Sequence, residues 1–515
     1  MELVTAEEMR MIDSNAINGI GIPQAALMEN AGRASAEEAC SFAYASGKGT
    51  NFGWLVLAGK GNNGGDGLAC ARHLRDMGFR VSVLYAEPPD RMQGGAALQR
   101  DIARKLGLAE RVYGEAGQSA LFDGFDGLID ALLGTGASGP PREPYAALIK
   151  AAADSGLPAV ALDIPSGVDA DTGAVPGPCI RAAVTVSFAY AKRGLHQYPG
   201  AAYAGRAIVR PIGIPAESAA RAGVNTFLLN ADSLREKLKL AFPLTREADT
   251  HKGTYGHVLV AAGSALMSGA GLLCARAALR GGSGLVSWAQ PAASAPGLRG
   301  FAPEAMLKAV PDGGSGEWRL TQPEMLVEAA ANMDAIVVGP GMGRWEGDGR
   351  WLRTLLERTG VPAVVDADAL NMIADDASAA GVWLKRDAPT IVTPHPGEMA
   401  RLTGLSVPEV QRDRIGIARD YAAKHGVTVV LKGARTVVAS PHGRAFVNTS
   451  GNPGMATGGA GDALAGIVGS LLGQGLSAEQ AAAYGVYWHG VAGDRAAAAR
   501  AQPASLTAGD IVEAL

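Results

Sequence analysis

The sequence predicts two α/β domains, each built on a largely parallel sheet with helices packed against it. Three observations carry this. Short, continuous apolar runs alternate with amphipathic stretches along most of the chain, and such runs are strands buried on both faces. Most of them end in a Gly, Pro or acidic turn, as strand-to-helix crossovers do. The chain has 515 residues, more than one hydrophobic core usually organises.

The elements follow in order. "TAEEMRMIDSNAINGIGIPQAALMENAGRASAEEACSFA" predicts two helices broken at "GIGIP", the first opened by a capping box between Thr5 and Glu8. Strands are then expected at residues 54–58, 80–86, 127–134, 158–164 and 183–189. Residues 211–238 contain Pro211, Pro215 and a polar stretch, which puts a domain boundary near 215–230 and divides the chain into 1–220 and 221–515. The second half repeats the pattern, with strands expected at 256–263, 284–290, 335–341, 362–368, 389–395 and 427–433. Ligands of open parallel sheets bind at the carboxyl ends of the strands, so the turns that end these runs are where function is expected.

Bulk properties exclude several classes. The composition is 48% hydrophobic and 19% charged, typical of a globular chain with real cores. A formal net charge of -4 gives no reason to expect nucleic acid or an acidic membrane as partner. Cys40, Cys70, Cys179 and Cys274 are scattered and form no CxxC, as free thiols in a reducing cytosol would be. No stretch approaches the ~20 apolar residues of a membrane helix, and the N-terminus lacks the basic start and apolar core of a secretory signal. A cytoplasmic, homo-oligomeric protein acting on a small molecule is expected.

Two glycine-rich turns carry the chemistry. The first, "GKGNNGGDG" (59–67), follows an apolar strand and enters a helix. Gly59, Gly61 and Gly64 satisfy GxGxxG, and Glu87 stands where a ribose-binding acid would, so a dinucleotide fingerprint is one reading. Two amides and the Asp66 carboxylate are poorly suited to a pyrophosphate, which wants bare backbone N–H groups. Asp66 capping a helix that starts near Gly67 is another reading. Two further strand-end turns, "IDALLGTGASGP" (129–140) and "ALDIPSGVDADTG" (161–173), place Asp130 and then Asp163, Ser166 and Asp169 at corresponding positions. Convergence of the three would gather oxygens from Asn63, Asp130 and Ser166. Oxygen ligands with little charge suit a large, weakly hydrated cation better than zinc. Asp163 would remain as a carboxylate able to exchange a proton with a ligand.

On "NNGGDG", "DALLGTG", "LDIPSGVDADTG" and "AYAKRGLH" (189–196), residues 1 to about 215 resemble the NAD(P)H-hydrate epimerase family, of the YjeF N-terminal type. The resemblance implies a Rossmann-like three-layer α/β sandwich. It also implies a substrate site for hydrated NADH or NADPH at Asn62, Asn63, Gly64, Gly65, Asp66, Gly134, Thr135, Gly136, Ala137, Ser138, Gly139, Pro140 and Asp163. A potassium ion is implied on Asn63, Asp130 and Ser166, with Asp163 as the catalytic carboxylate.

The second turn, "TGGAGDALAGIVGSLLGQG" (457–475), runs into an amphipathic helix. Its backbone N–H groups and the helix N-terminus form an anion hole. Asp462 sits at the helix start, either as an ordinary cap or as the base that deprotonates a hydroxyl attacking a phosphoryl group. No GxxxxGK[ST] occurs, which excludes a P-loop. With "KGTYGHVLVAAGS", "VVGPGMG", "VDADAL", "TPHPGEMARLTG", "LKGARTVV" and "NPGMATGGAGD", residues 230–515 resemble the ribokinase-like superfamily and, within it, the ADP- or ATP-dependent NAD(P)H-hydrate dehydratases. That resemblance implies contacts with the hydrate from Ala270, Gly341, His395 and Asp462. It implies contacts with the adenine nucleotide from Lys432, Gly433, Ala434, Arg435, Thr436 and Gly461, a Mg2+ ion accompanying the nucleotide, and Asp462 as catalytic base.

The two activities complement one another. Hydration of a reduced nicotinamide ring yields two epimers at the carbinol carbon, and a dehydratase selective for one needs an epimerase for the other. Three rival readings stay open at this point: a sugar or vitamin kinase with a regulatory N-terminal half, a ligand-sensing module, and a simple oxidoreductase.

Overall fold

Each apolar run named above contains a strand in the computed structural model, which describes residues 1–114, 121–376 and 381–515. The chain forms two units, Met1–Thr226 and Phe227–Leu515.

The first unit contains β1 (Leu3–Val4), β2 (Gly53–Ala58), β3 (Arg80–Tyr85), β4 (Ala109–Val112), β5 (Gly127–Ala131), β6 (Ala159–Leu162), β7 (Ala182–Phe188), β8 (Ala191–Lys192) and β9 (Arg206–Arg210). Seven of these make one sheet in the order β4-β3-β2-β5-β6-β7-β9, parallel throughout. Strand side chains alternate between faces. Trp54, Val56 and Ala58 therefore join a core with Leu68, Cys70 and Leu74 of the helix Asn62–Asp76. Leu55 and Leu57 join a separate core with Leu148 and Ile149 of the helix Tyr145–Asp154. This is the three-layer sandwich the resemblance implies. The two N-terminal helices form, Ala6–Ser14 and Gln24–Ala45, with a π-helical turn at Asn15–Ile20 between them. The expected capping box is present, Glu8 N donating to Thr5 Oγ1 (3.0 Å) and Thr5 N to Glu8 Oε2 (2.7 Å).

The second unit contains β10 (Thr226–Leu229), β11 (His257–Ala261), β12 (Leu285–Pro291), β13 (Met306–Val310), β14 (Ala335–Val338), β15 (Ala363–Val365), β16 (Thr390–Val392), β17 (Thr428–Leu431), β18 (Val437–Ala439) and β19 (Ala445–Asn448). Their order is β10-β19-β18-β17-β16-β15-β14-β11-β12-β13. The pairs from β17 to β13 are parallel, and β17-β18 and β18-β19 are antiparallel. The helix Ala460–Gly473 is buried on nearly every side from Ala463 onward, as expected of a segment with so few polar residues. A Cβ on Gly466 would stand 2.2 Å from the Cys274 carbonyl oxygen, so only glycine permits this approach to the helix Ser268–Arg280.

Residues 211–238 hold the helix Ser218–Arg221, strand β10 and the helix Ala231–Lys237. All four cysteines are free. Among the described residues no helix is long and apolar enough to cross a membrane.

Candidate active sites

Each sheet holds a central point at which the strand order reverses. The reversal falls between β2 and β5 in the first unit and between β11 and β14 in the second. Crevices open outside the carboxyl ends of strands at such reversals, and the chemistry-bearing turns lie there.

In the first unit the turns after β2 and β5 wall a cavity of about 580 Å³. Lys60, Asn62, Asn63, Asp66, Gly134, Thr135, Gly136, Ala137 and Asp163 line it, together with Asp13 and Lys192. Ser138, Gly139 and Pro140 continue the loop outside that wall. A Cβ on Gly64 would fall 1.8 Å from the Gly59 carbonyl oxygen, so this glycine serves the tight strand-to-helix turn. The helix begins at Asn62 with Gly61 as its N-cap, so Asp66 lies a full turn inside and is not a cap. Glu87, the ribose-acid candidate, is engaged by Lys60 Nζ at 3.1 Å and by the Tyr145 hydroxyl at 3.3 Å.

Asp163 has φ +66°, a left-handed conformation that Asp tolerates better than most residues. It points its carboxylate at Lys192, whose side chain is fully buried. Lys192 Nζ donates to Asp163 Oδ1 and to the carbonyls of Phe188 (2.9 Å) and Tyr190 (3.1 Å). Burial drives the Asp66 carboxyl far above the usual range, and Asp163 and Asp13 add to that, against Lys192.

Asp130 is fully buried and bound to Ser166, accepting from Ser166 Oγ at 2.6 Å and from Ser166 N at 2.7 Å. Burial still lifts its pKa to about 6. Asn63 Nδ2 donates to the Leu133 carbonyl at 2.9 Å, and Leu133 N donates to Ser166 Oγ at 2.9 Å. Asn63, Asp130 and Ser166 thus meet around Leu133. Asn63 Oδ1 is buried with no hydrogen-bond partner among the described residues. An orphaned carbonyl oxygen beside a buried carboxylate and a hydroxyl is a donor set that fits a weakly hydrated monovalent cation.

In the second unit, Ala270 and Gly341 meet across the crevice between β11 and β14, where a Cβ on Gly341 would lie 2.7 Å from Ala270 Cβ. Beside them, β15 and β17 deliver Asp366 and Lys432, paired at 2.6 Å. Glu398 Oε2 lies 3.9 Å from the same ammonium. A Cβ on Gly461 would sit 3.4 Å from Lys432 Nζ, which puts that ammonium under the first turn of the helix Ala460–Gly473. Gly459 is the N-cap of this helix, so Asp462 is not a cap. Burial and Asp366 lift Asp462 to about 6, against the pull of Lys432. Burial also lifts Glu398 to about 7.

His395 has a structural task at one nitrogen. Its Nδ1 accepts from Gly397 N (2.9 Å) and Glu398 N (3.2 Å), capping the helix Pro396–Thr403. Its Nε2 is left 3.3 Å from Glu398 Oε1, on a half-exposed ring. Burial and Lys432 lower its pKa, which favours the neutral imidazole. The structure separates Lys432, turned inward, from the rest of the predicted nucleotide loop. Gly433 and Ala434 are exposed, Arg435 has φ +63°, and Thr436 Oγ1 donates to the Gly433 carbonyl at 2.9 Å.

Four site residues were not singled out from the sequence: Asp13, Lys192, Asp366 and Glu398. Three of them stand inside motifs that were recognised, "AYAKRGLH", "VDADAL" and "TPHPGEM". Asp13 lies in the N-terminal helix, outside any motif.

Comparison with known proteins agrees with both halves. A family model described as NAD(P)H-hydrate dehydratase matches residues 258–515, and one described as YjeF-related protein N-terminus matches residues 24–194. The bifunctional NAD(P)H-hydrate repair enzyme Nnr of Moorella thermoacetica is 42% identical over 521 residues, spanning 100% of this chain and 96% of its own. The protein of the same name from Thermofilum pendens is 40% identical, spanning 98% and 93%. A crystal structure of the ADP/ATP-dependent NAD(P)H-hydrate dehydratase from Bacillus subtilis, co-crystallised with ATP and Mg2+, is 30% identical with a TM-score of 0.48, covering 56% of this chain and 95% of that one. With a family model on each half and relatives aligned along nearly the whole length, the chain belongs to the family of bifunctional NAD(P)H-hydrate repair enzymes.

Proposed function

We propose that this chain restores hydrated NADH and NADPH, the first unit interconverting the R and S hydrates and the second dehydrating the S hydrate at the expense of ADP or ATP. The observation that carries the reading is the recurrence of one arrangement in both units: a partly buried aspartate at the carboxyl edge of the sheet, facing a crevice and set near an inward-turned lysine.

In the first site the loops at 62–66 and 134–140 hold the dinucleotide, and Asp163, oriented by Lys192, faces the ring and assists proton transfer. Asn63, Asp130 and Ser166 would hold a potassium ion, which supplies positive charge next to the ligand's phosphates. In the second site the hydroxyl is converted to a phosphate ester before elimination, because hydroxide leaves poorly. Asp462 takes the hydroxyl proton as its oxygen attacks the terminal phosphoryl group. The amides of the "GGAGD" turn hold that group, and Lys432 offsets its charge. AMP departs from ADP, or ADP from ATP, and loss of phosphate together with a proton from the neighbouring ring carbon restores the ring double bond. Residues 433–436 and Gly461 cradle the nucleotide, and Ala270, Gly341 and His395 contact the hydrate. A Mg2+ ion would accompany the nucleotide's phosphates.

The test is incubation of the mixed R and S hydrates with the chain and ADP, following the absorbance of the reduced cofactor. Full recovery is expected. Recovery of about half, at a rate limited by spontaneous interconversion, would remove the epimerase from the reading. No recovery would favour a kinase of another substrate.

A second prediction concerns the monovalent cation. Titrating potassium into chain dialysed against tetramethylammonium should raise the rate of R-to-S interconversion, and Asn63→Ala should move the midpoint of that titration to higher potassium. An identical midpoint in both proteins would sink the assignment of Asn63 as a ligand.

A further inference from the structure

We propose that Asp13, on the N-terminal helix, is a second catalytic carboxyl of the first site, the acid that protonates the departing hydroxyl beside the Lys192-bound Asp163. The inference deepens the epimerase reading and rests on it.

Three carboxyl groups, from Asp13, Asp66 and Asp163, line the same cavity of about 580 Å³. Lys192 spends one of its three donors on Asp163 and the other two on backbone carbonyls, so among the described residues Asp163 is the one carboxylate it hydrogen-bonds. An ammonium so placed holds Asp163 in a charge-assisted hydrogen bond. The departing hydroxyl needs a proton, and the other carboxyls on the wall are Asp13 and Asp66.

Asp13 is brought there deliberately. β1 pairs with β8 in parallel, with Val4 opposite Lys192, so the N-terminal segment is stitched to the strand that carries the lysine. Asp171 Oδ1 accepts from Ala6 N at 2.6 Å, and Arg193 binds Glu8 at 2.8 Å, which fixes the start of the same helix. The helix then passes into the π-turn Asn15–Ile20, which begins two residues after Asp13, a rare geometry that recurs at functional sites. The charged groups around the cavity are Asp163 and Lys192 from the strand ends, Asp66 from the helix Asn62–Asp76, Lys60 from the turn and Arg10 from Asp13's own helix. Burial lifts Asp13 to about 6, opposed by Lys192 and aided by Asp163. A group so placed can hold and release a proton near neutrality.

The step balances without a further reactant. The carbinol C–O bond breaks, its electron pair stays on oxygen, and that oxygen takes the Asp13 proton and leaves as water. The ring nitrogen lone pair forms the C=N bond of an iminium ion, whose charge the Asp163 carboxylate faces. Water adds to the other face and returns a proton to Asp13.

The test uses the full-length chain and purified R hydrate, with formation of S hydrate read by chromatography. Asp13→Asn should slow interconversion by about 10²-fold or more with little change in KM, while dehydration of S hydrate by the same protein stays at the wild-type rate and reports that the chain is folded. Wild-type interconversion should fall as pH rises through about 6, where Asp13 loses its proton, and the residual rate of Asp13→Asn should lack that fall. If wild type itself does not interconvert the epimers, the epimerase reading fails. If wild type does, and Asp13→Asn matches it within threefold, this proposal alone is overturned. Loss of activity in Asp66→Asn but not in Asp13→Asn would overturn it too, by assigning the proton to Asp66.

Discussion

Asp462→Asn abolishes recovery of the reduced cofactor from S hydrate, and the variant melts at or above the wild-type temperature. Both halves of this expectation come from one fact. Burial, with Asp366 next to it, lifts the Asp462 carboxyl from 3.8 to about 6, and Lys432 only partly counters them. A folded-state pKa above the unfolded value means that the stability contributed by this group is complete below the unfolded pKa and lost as pH rises through about 6. At pH 7 to 8 the carboxylate is therefore a cost to the folded state, and neutral asparagine removes it. Lys432 keeps its 2.6 Å partner Asp366, so no buried cation is left unpaired. Activity runs the other way. A base must be unprotonated, so dehydration rises with pH through about 6. Loss of a general base lowers the rate by about 10²- to 10⁴-fold. The measurements are kcat on S hydrate with saturating ADP between pH 5 and 8, and thermal unfolding at pH 7.5. A variant that keeps a tenth of wild-type turnover would exclude Asp462 as the base. A variant that is inactive and also melts much lower would mean the residue supports the fold.

The parts of these sites that could be read from the sequence are local ones. The strand-end turns announce themselves because turn-forming residues and polar side chains must stand within a few residues of each other for the chain to turn and still present a side chain, as in "NNGGD" at 62–66 and "DIPSG" at 163–167. Their convergence follows from the central reversal of strand order in a largely parallel sheet, which brings the turns after β2 and β5, and those after β11 and β14, to one crevice in each unit. What could not be read is joined over distance. Asp13 reaches its cavity because of a two-residue strand pairing that leaves no periodic signal. The exposed or charged edge strands β4, β9 and β13 lack the continuous apolar pattern of the central ones. The hairpin β18–β19 turns at "SPHG", a turn signal that could have been used. His395 stands between two prolines and three residues before a glutamate. That spacing is a capping box with an unusual cap, and the structure gives one ring nitrogen to that role.

Asp163→Ala should destabilise the first unit as well as stop epimerisation, and the companion change Lys192→Met should restore most of the stability and none of the activity. Lys192 is fully buried, and Asp163 is the carboxylate bound to it. Removing one partner of a buried pair leaves an uncompensated charge and costs about 3 to 5 kcal/mol, whereas replacing both by neutral groups of similar size is close to neutral. Backbone geometry separates two versions of the experiment. Asp163 has φ +66°, which asparagine tolerates and alanine resists, so Asp163→Ala should lie below Asp163→Asn in stability by the strain of that conformation. Hydrogen exchange of amides in β7 and β8 reads this in the first unit, and dehydration of S hydrate should persist in every variant. If the Asp163→Asn, Lys192→Met pair is as unstable as Asp163→Ala, the ion pair is not what secures the turn. If that pair still interconverts the epimers, the carboxylate is a scaffold, and the proton and charge chemistry belong to the other acids of the cavity.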